Sequence, residues 1–200
     1  MRSRRYGQAW LDQFAAARRQ ALAAHEAPAT ALVALLDLDH FKRLNDLHGH
    51  EVGDRALRHF AQVLEGCARA SDVLVRWGGE EFLWVCPNTP LSEAGSLFAR
   101  LQTGLREAPL ELRGGPVQIT VSAGFSVFPL GGPAPEDWAL TLRVADAALY
   151  RAKRAGRDRW EGMAGAEAAE EAPLDRPAWA DTSVDTLEAM GLLQETRPGA

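Results

Sequence analysis

Two adjacent glutamates at a glycine turn are the residues whose types and spacing most directly suggest chemistry in this 200-residue chain. The stretch RWGGEEFLWV (76–85) places Glu80 and Glu81 after Gly78 and Gly79, between apolar runs that favour β-strands. A glycine pair in that position is typical of a hairpin turn, because glycine readily adopts positive φ angles. Two glutamates at a turn can simply be solvated, so their role depends on what else reaches the turn.

A second acidic segment ends a predicted buried strand. TALVALLDLD (30–39) is a continuous apolar run that closes with Asp37 and Asp39. We expect these two side chains to face opposite sides, so that one is a ligand candidate and the other is structural. A calcium-binding EF-hand loop is excluded, because Phe41 stands where a ligand is needed and Lys42 where glycine is needed.

Carboxylates at the carboxyl end of a strand occupy the position where α/β sheets bind their ligands. If the glycine turn is the neighbouring element, Asp37, Glu80 and Glu81 converge there. Like charges packed together repel one another, and a divalent cation relieves that repulsion. Because all the ligands would be oxygens, magnesium or manganese is favoured over zinc.

The elements that must position these residues alternate between helix and strand. Apolar spacing predicts helices over four segments and strands beside them: helices at 6–24, 52–67, 91–105 and 136–155, and strands at 30–39, 117–128 and 157–160. Gly156 is expected to end the last helix. The chain therefore predicts an α/β or α+β domain over residues 1–161 without internal repeats.

Residues 162–200 differ from this body in composition. They carry eight acids and two arginines, a net charge of −6, whereas the other 161 residues carry 19 acids and 20 bases, a net of +1. This acidic, proline-containing tail is expected to be disordered. Within it, SVDTLEAMGLLQE (183–195) is predicted to form a short amphipathic helix with a serine or aspartate cap.

The remaining composition narrows the class of protein. No apolar run is long enough to span a bilayer, and the basic start MRSRRYGQAW lacks the features of a signal peptide. Cys67 and Cys86 lack metal-ligand spacing, which favours reduced thiols in a cytoplasmic protein. We expect no membrane insertion and no nucleic-acid partner.

Several motifs resemble one known family. RWGGEEF (76–82) and DLDHFKRLNDLHGHEVGD (37–54) look like the motifs of the GGDEF family, the diguanylate cyclases, in its GGEEF form. TVSAGFS (120–126) is similar to the family's TVSIGVA strand, and ADAALYRAKRAGRDRW (145–160) to its closing helix and strand. The resemblance covers residues 1–161, with the motifs in the family's order and spacing.

The resemblance implies a polymerase-palm-like nucleotidyl cyclase fold, with a central, mainly antiparallel sheet of about five strands flanked by helices. It also implies that two GTP molecules are condensed into cyclic di-GMP with release of two pyrophosphates, using two Mg²⁺ or Mn²⁺ ions per active site. One domain offers one GTP site and the product has two phosphodiester bonds, so a homodimer is expected for catalysis.

By the same resemblance, Asp37 and Glu81 hold metal together with the backbone carbonyl of Leu38. Glu80 either shares the metal or accepts the hydroxyl proton, and these two roles stay open. The substrate phosphates are expected to contact residues at a helix start, at the glycine turn and near the end of the last helix. These residues are Phe41, Lys42, Gly78, Gly79, Lys153 and Arg157.

Asn45 and Asp54 are the expected guanine ligands, because a carboxylate accepts both donors on the Watson–Crick edge of guanine and repels adenine. Each could instead serve as a cap or turn residue. His48 and His50 flank Gly49 and are interpreted as turn and capping residues rather than zinc ligands.

RASD (69–72) resembles the family's RxxD inhibitory site, which binds cyclic di-GMP through Arg69 and Asp72, with Arg100 as a second arginine. A surface ion pair is the alternative for that motif. The opening MRSRRY aligns only with the end of the family's first motif, DxLTGLxNR, so we expect the N-terminal motif to be truncated.

Two other functions compete with the cyclase. One is a catalytically inactive regulatory domain that senses GTP or cyclic di-GMP, although such domains lose metal or turn residues that this chain retains. The other is a scaffold that uses the fold only for protein contacts, with the acidic tail as its binding arm.

Overall fold

The structure, a computed structural model, describes residues 1–131, 138–166 and 182–196. Within these ranges a seven-stranded mixed sheet has the order β1-β3-β4-β2-β7-β8-β9, and β5 and β6 form a separate hairpin. The strands are β1 Arg2–Ser3, β2 Ala31–Leu38, β3 Val73–Arg76, β4 Glu81–Pro87, β5 Leu110–Leu112, β6 Gly115–Val117, β7 Val121–Phe128, β8 Trp160–Gly165 and β9 Leu193–Thr196. The helices are α1 Arg4–Ala23, α2 Phe41–His48, α3 His50–Cys67, α4 Ala94–Glu107, α5 Trp138–Arg154 and α6 Val184–Ala189.

The central strand β2 is buried along its whole length, and its alternation divides the core in two. Leu32 and Leu36 belong to a cluster with α3 and α4 on one face of the sheet. Val33 and Leu35 belong to a cluster with α1 and α5 on the other face. Because side chains alternate along a strand, Asp37 shares the face that α5 covers.

Helix α5 lies unusually close to the sheet at Gly124 in β7. A Cβ atom placed there would stand 2.0 Å from the carbonyl oxygen of Ala145 and 2.2 Å from the amide nitrogen of Leu149. Only glycine permits that approach, which brings the far end of α5 to the edge of β2. The glycine of the TVSAGFS motif therefore sets the distance between the helix and the strand that carry candidate site residues.

The predicted α+β class and mainly antiparallel sheet are confirmed, while the sheet has seven strands in the described residues rather than about five. Two strand pairs, β1 with β3 and β7 with β8, are parallel. The last predicted strand was placed too early: β8 runs from Trp160 to Gly165 instead of 157–160, because the chain first makes a turn at Arg157 and Asp158. No helix in the described ranges combines the length and apolar character needed to cross a membrane.

The expectation of disorder after residue 161 is wrong for 162–166 and 182–196. β8 continues to Gly165, and β9 pairs with it antiparallel. The helix predicted over 183–195 is confirmed only for Val184–Ala189, α6, whose N-cap Ser183 accepts a hydrogen bond from the Thr186 amide; the segment from Leu193 forms β9 instead. Residues 167–181 and 197–200 of the predicted tail lie outside the described residues.

This C-terminal segment, residues 182–196, docks because it brings apolar and charged groups to α5. Leu187, Leu192 and Leu193 are buried in a cluster with side chains of α5 and β8. Arg151 of α5 donates to Glu188 at 3.0 Å and also pairs with Glu195. Three buried leucines and two carboxylates with a shared arginine offset the entropy cost of ordering the segment.

Candidate active site

The candidate site begins where β2 and β4 lie side by side. Their register places Asp37 opposite Glu81, and the Leu38 amide donates to the carbonyl oxygen of Glu80 at 3.4 Å. The predicted hairpin is confirmed, because β3 and β4 pair antiparallel around residues 77–80. The fold therefore brings the strand end and the glutamates of the turn together, as the sequence predicts.

Asp37 is buried and carries a cationic partner from α5. The Lys153 ammonium lies 2.8 Å from Asp37 Oδ2. Burial raises the pKa of the Asp37 carboxyl, Lys153 opposes that rise, and the charges of Glu80 and Glu81 add to it. The carboxylate thus lies in a partly dehydrated, electronegative corner that already holds one positive charge.

The glycine turn is built differently from the expected positive-φ hairpin. Neither Gly78 nor Gly79 has a positive φ, and the turn closes through the Trp77 and Gly78 amides, which donate to the Glu81 carbonyl at 2.9 and 3.2 Å. A Cβ at Gly78 would lie 2.7 Å from Glu81 Oε2, so a larger residue there would displace the end of that side chain. At Gly79 a Cβ would meet open space.

Sequence reasoning missed the role of Arg76 in this turn. Its guanidinium donates twice to the Gly79 carbonyl, at 3.2 and 2.9 Å. These bonds hold the turn that carries Glu80 against the end of β3. The only signal in the sequence was a basic residue directly before the turn, which is too common to be diagnostic.

The donor set fits a hard divalent cation in its chemistry. The side chains of Asp37, Glu80 and Glu81 offer only oxygen atoms as ligands. The Lys153 ammonium already pairs with Asp37, which shows that a cation is accommodated beside this carboxylate. In the part of the chain that the structure describes, no three His, Cys, Asp or Glu side chains are already gathered as a metal cluster. The backbone places the three carboxylates together, and their convergence on a metal stays a prediction.

The predicted phosphate ligands lie at the ends of two helices. Phe41 is the first residue of α2, Lys42 beside it is exposed, and Lys153 is in the last turn of α5. Arg157 is exposed and has a left-handed backbone, with φ 64°. A cleft of about 1080 Å³ runs along α5, with Glu81 and Lys153 among its lining residues.

The two predicted guanine ligands lie in the α2–α3 region. Asn45 Oδ1 is buried with no hydrogen-bond partner among the described residues, and it packs on Gly53, where a Cβ would stand 1.8 Å away. Asp54 is exposed on α3, four residues after its start at His50, so it does not cap the helix. Gly49, rather than His48 or His50, is both the C-cap of α2 and the N-cap of α3.

The RASD segment forms a turn whose carboxylate is already in use. Asp72 Oδ2 accepts from the Arg69 amide and from the Trp84 indole, both at 2.9 Å. The Arg69 guanidinium reaches Glu93 at 3.2 Å, and both side chains are largely exposed. Arg100 is exposed on α4. The surface ion pair that was the alternative for this motif is therefore present, although Glu93 rather than Asp72 provides it.

Asp39, the carboxylate expected to be structural, is held by neighbouring hydroxyl groups. Its side chain accepts from Thr120 Oγ1 at 2.8 Å and from Ser122 Oγ at 2.7 Å. Residues two apart share a strand face, so alternation does not separate Asp39 from Asp37 as we expected. The two side chains lie apart because β2 ends at Leu38, so the strand geometry does not extend to Asp39.

Comparison with known proteins agrees with this architecture. Residues 8–159 match the family described as "Diguanylate cyclase, GGDEF domain". The chain is 45% identical over 130 residues to the diguanylate cyclase DgcP of Pseudomonas aeruginosa, covering 65% of this chain and 19% of DgcP. It is 40% identical over 137 residues to the probable diguanylate cyclase DgcC of Escherichia coli, covering 68% of this chain and 35% of DgcC. The chain thus spans well under half of these relatives.

Two solved structures are similar in fold and sequence. The GGDEF domain of DgcB from Caulobacter crescentus, in complex with c-di-GMP, superposes with a TM-score of 0.65 at 32% identity, over 78% of this chain and 88% of that one. The active GGEEF domain of a diguanylate cyclase from Vibrio cholerae superposes with a TM-score of 0.62 at 30% identity, over 76% and 92%. With a family match over more than half of its length, this chain belongs to the GGDEF domain family of diguanylate cyclases.

Proposed function

We propose that this chain is a diguanylate cyclase that condenses two GTP molecules into cyclic di-GMP and two pyrophosphates. The observation that carries the proposal is the pairing of Asp37 with Glu81 across β2 and β4, beside Lys153. Carboxylates opposite one another at a strand end, next to a cation, suit a site that binds both metal and phosphate.

Asp37, Glu81, Glu80 and the Leu38 carbonyl are the groups of this chain that would hold Mg²⁺ or Mn²⁺, two ions per site. When bound, the metal would stabilise charge on the attacking and leaving oxygens. Lys153 neutralises Asp37 and lines the same cleft as Glu81, and its ammonium is a candidate contact for the triphosphate. Lys42 and Arg157 would add positive charge for the same phosphates.

In the reaction, the 3′-hydroxyl oxygen of one GTP forms a bond to the α-phosphorus of the other, and the bond from that phosphorus to pyrophosphate breaks. Glu80 is the candidate to take the hydroxyl proton, the alternative being that it serves only as a metal ligand. Asn45 and Asp54 would select guanine, and the exposed carboxylate of Asp54 would accept from the two donors of the base.

Two such domains must face each other, because each GTP supplies the hydroxyl that attacks the α-phosphate of the other. The proposal therefore includes a homodimer for catalysis, in the cytoplasm where GTP is available. It also includes inhibition by product at Arg69, Asp72 and Arg100, where the exposed arginines could exchange their present partners for guanine.

The test is magnesium-dependent turnover of GTP by the purified chain, with products separated by chromatography. Asp37→Asn and Glu81→Gln should each abolish cyclic di-GMP formation while the far-ultraviolet circular dichroism spectrum stays unchanged. Glu107→Gln, which removes an exposed carboxylate outside the site on α4, is the matched control and should retain full activity.

The assay also separates the alternative functions. GTP binding without turnover by the wild-type chain would indicate a sensory domain, and neither binding nor turnover would indicate a scaffold. Turnover near the wild-type rate in Asp37→Asn at saturating magnesium would contradict the metal assignment.

A further inference from the structure

The loop between α5 and β8 carries backbone strain that the proposed reaction does not explain. Arg157 and Asp158 are consecutive non-glycine residues with left-handed φ angles of 64° and 46°. Such conformations are unfavourable for residues that carry a Cβ and persist only when the surroundings fix them. The loop is also the segment that presents Arg157, a proposed phosphate ligand.

Two side chains from different elements fix this loop through Asp158. The Asp158 amide donates to Asp39 Oδ2 at 3.0 Å. The Gln102 amide nitrogen, from α4, donates to both the carbonyl oxygen and the Oδ1 atom of Asp158, each at 2.9 Å. The residue after Arg157 is therefore held at its amide, its carbonyl and its side chain.

Asp39 is itself rigidly placed, so it can serve as an anchor. Its carboxylate accepts from Thr120 and Ser122, and its own amide donates to the Thr120 carbonyl at 2.9 Å. On the far side of the loop, the carbonyl of Arg159 accepts from the Ala123 amide at 3.0 Å. The backbone that follows Arg157 is thus tied to the sheet, while the Arg157 amide donates to the Ala152 carbonyl of α5 at 3.1 Å.

We infer that Asp39 and Gln102 are positioning residues that hold the backbone of Arg157 in place for the triphosphate of the substrate. This inference rests on the proposed function. It assigns Asp39, two residues after the metal candidate Asp37, to the phosphate side of the site, and it adds Gln102, which no motif indicated. A cation held in place binds phosphate more tightly than one that must be ordered on binding.

Residues that only stabilise the fold would make the same hydrogen bonds to Asp158. The test must therefore separate a stabilising role from a role in positioning Arg157. A double-mutant cycle does so, because residues that act through Arg157 lose their effect once its side chain is removed. Gln102→Met keeps the length of the side chain and removes both donated bonds. Thr103→Ala, an exposed substitution next to it on α4, is the matched control.

Binding of guanosine 5′-[α,β-methylene]triphosphate is measured by calorimetry in magnesium buffer for the wild type, each single variant and the double variant. Gln102→Met should raise the dissociation constant about fivefold, as expected for lost hydrogen bonds. Arg157→Ala should raise it about tenfold, as expected for a lost charge-assisted contact. The double variant should bind no more weakly than Arg157→Ala, and Thr103→Ala should bind like the wild type.

If Gln102→Met weakens binding fivefold again in the Arg157→Ala background, the effects are additive and the positioning role is refuted. Unchanged binding in Gln102→Met refutes it as well. A wild-type chain that binds the analogue and makes cyclic di-GMP, but gives an additive cycle, overturns this inference alone. A wild-type chain that does not bind the analogue overturns the proposed function and this inference together.

Discussion

Substitution of Leu187 tests whether the C-terminal segment is part of the folded unit. The side chain is only 1% exposed and packs in the cluster formed with α5 and β8. Leu187→Ala removes three carbon groups, which by transfer energy alone is worth about 2.4 kcal/mol. The cavity left behind adds to this, so we expect the free energy of unfolding to fall by about 2–4 kcal/mol.

Urea unfolding followed by circular dichroism measures the change. Met190→Ala is the matched control, because it shortens an apolar side chain of the same segment that is 63% exposed. That variant should unfold within about 0.5 kcal/mol of the wild type, as surface substitutions usually do. The two variants differ in burial much more than in chemistry.

Hydrogen exchange gives a second measure of the same docking. Leu193 to Thr196 of β9 pair with β8 at the edge of the sheet, so the alternate amides that face β8 should exchange slowly in the wild type and sooner in Leu187→Ala. Equal urea midpoints for Leu187→Ala and Met190→Ala, with unprotected β9 amides in the wild type, would show that the segment does not dock as described.

Three further changes test the core, the thiols and the RASD turn. Gly124→Ala should destabilise the domain by about 3 kcal/mol or more in urea unfolding, because its Cβ would stand 2.0 Å from a backbone oxygen of α5; wild-type stability would contradict that packing. Burial raises the pKa of the Cys67 and Cys86 thiols above their ordinary value of 9.0, so both should resist iodoacetamide at pH 8 until the chain is unfolded; rapid labelling of the folded chain would count against it. Arg69→Ala should leave the initial rate of cyclic di-GMP formation unchanged and relieve its slowing as product accumulates, and equally curved progress curves would leave the motif as a surface turn.

The sequence predicted those parts of the fold that depend on local pattern. The apolar run of β2, the helical stripes and the hairpin at the glycine turn all follow from periodicity and turn residues. The family resemblance further indicated that β2 and the turn are neighbours, and the register of Asp37 with Glu81 agrees with it. These features required no knowledge of distant contacts.

The features that the sequence did not predict depend on contacts between distant segments. The tail seemed disordered because its composition is acidic, but Leu187 and Leu193 find an apolar surface on α5 and β8 that composition does not reveal. Gly78 has no positive φ, and what a Cβ there would displace is the carboxylate of Glu81. Likewise, Gln102 of α4 contacts Asp158, and no pattern in the sequence links these two segments.

Three successive residues at the end of β2 each contact a different part of the candidate site. Asp37 contacts Lys153 of α5, the Leu38 amide contacts the carbonyl of Glu80 in the turn, and Asp39 holds the loop that presents Arg157. Because the three residues are consecutive, with neighbouring Cα atoms about 3.8 Å apart, a shift of this strand end moves all three contacts. If Asp37 holds metal and Arg157 holds phosphate, as we propose, substitutions in DLD should affect both kinds of binding together.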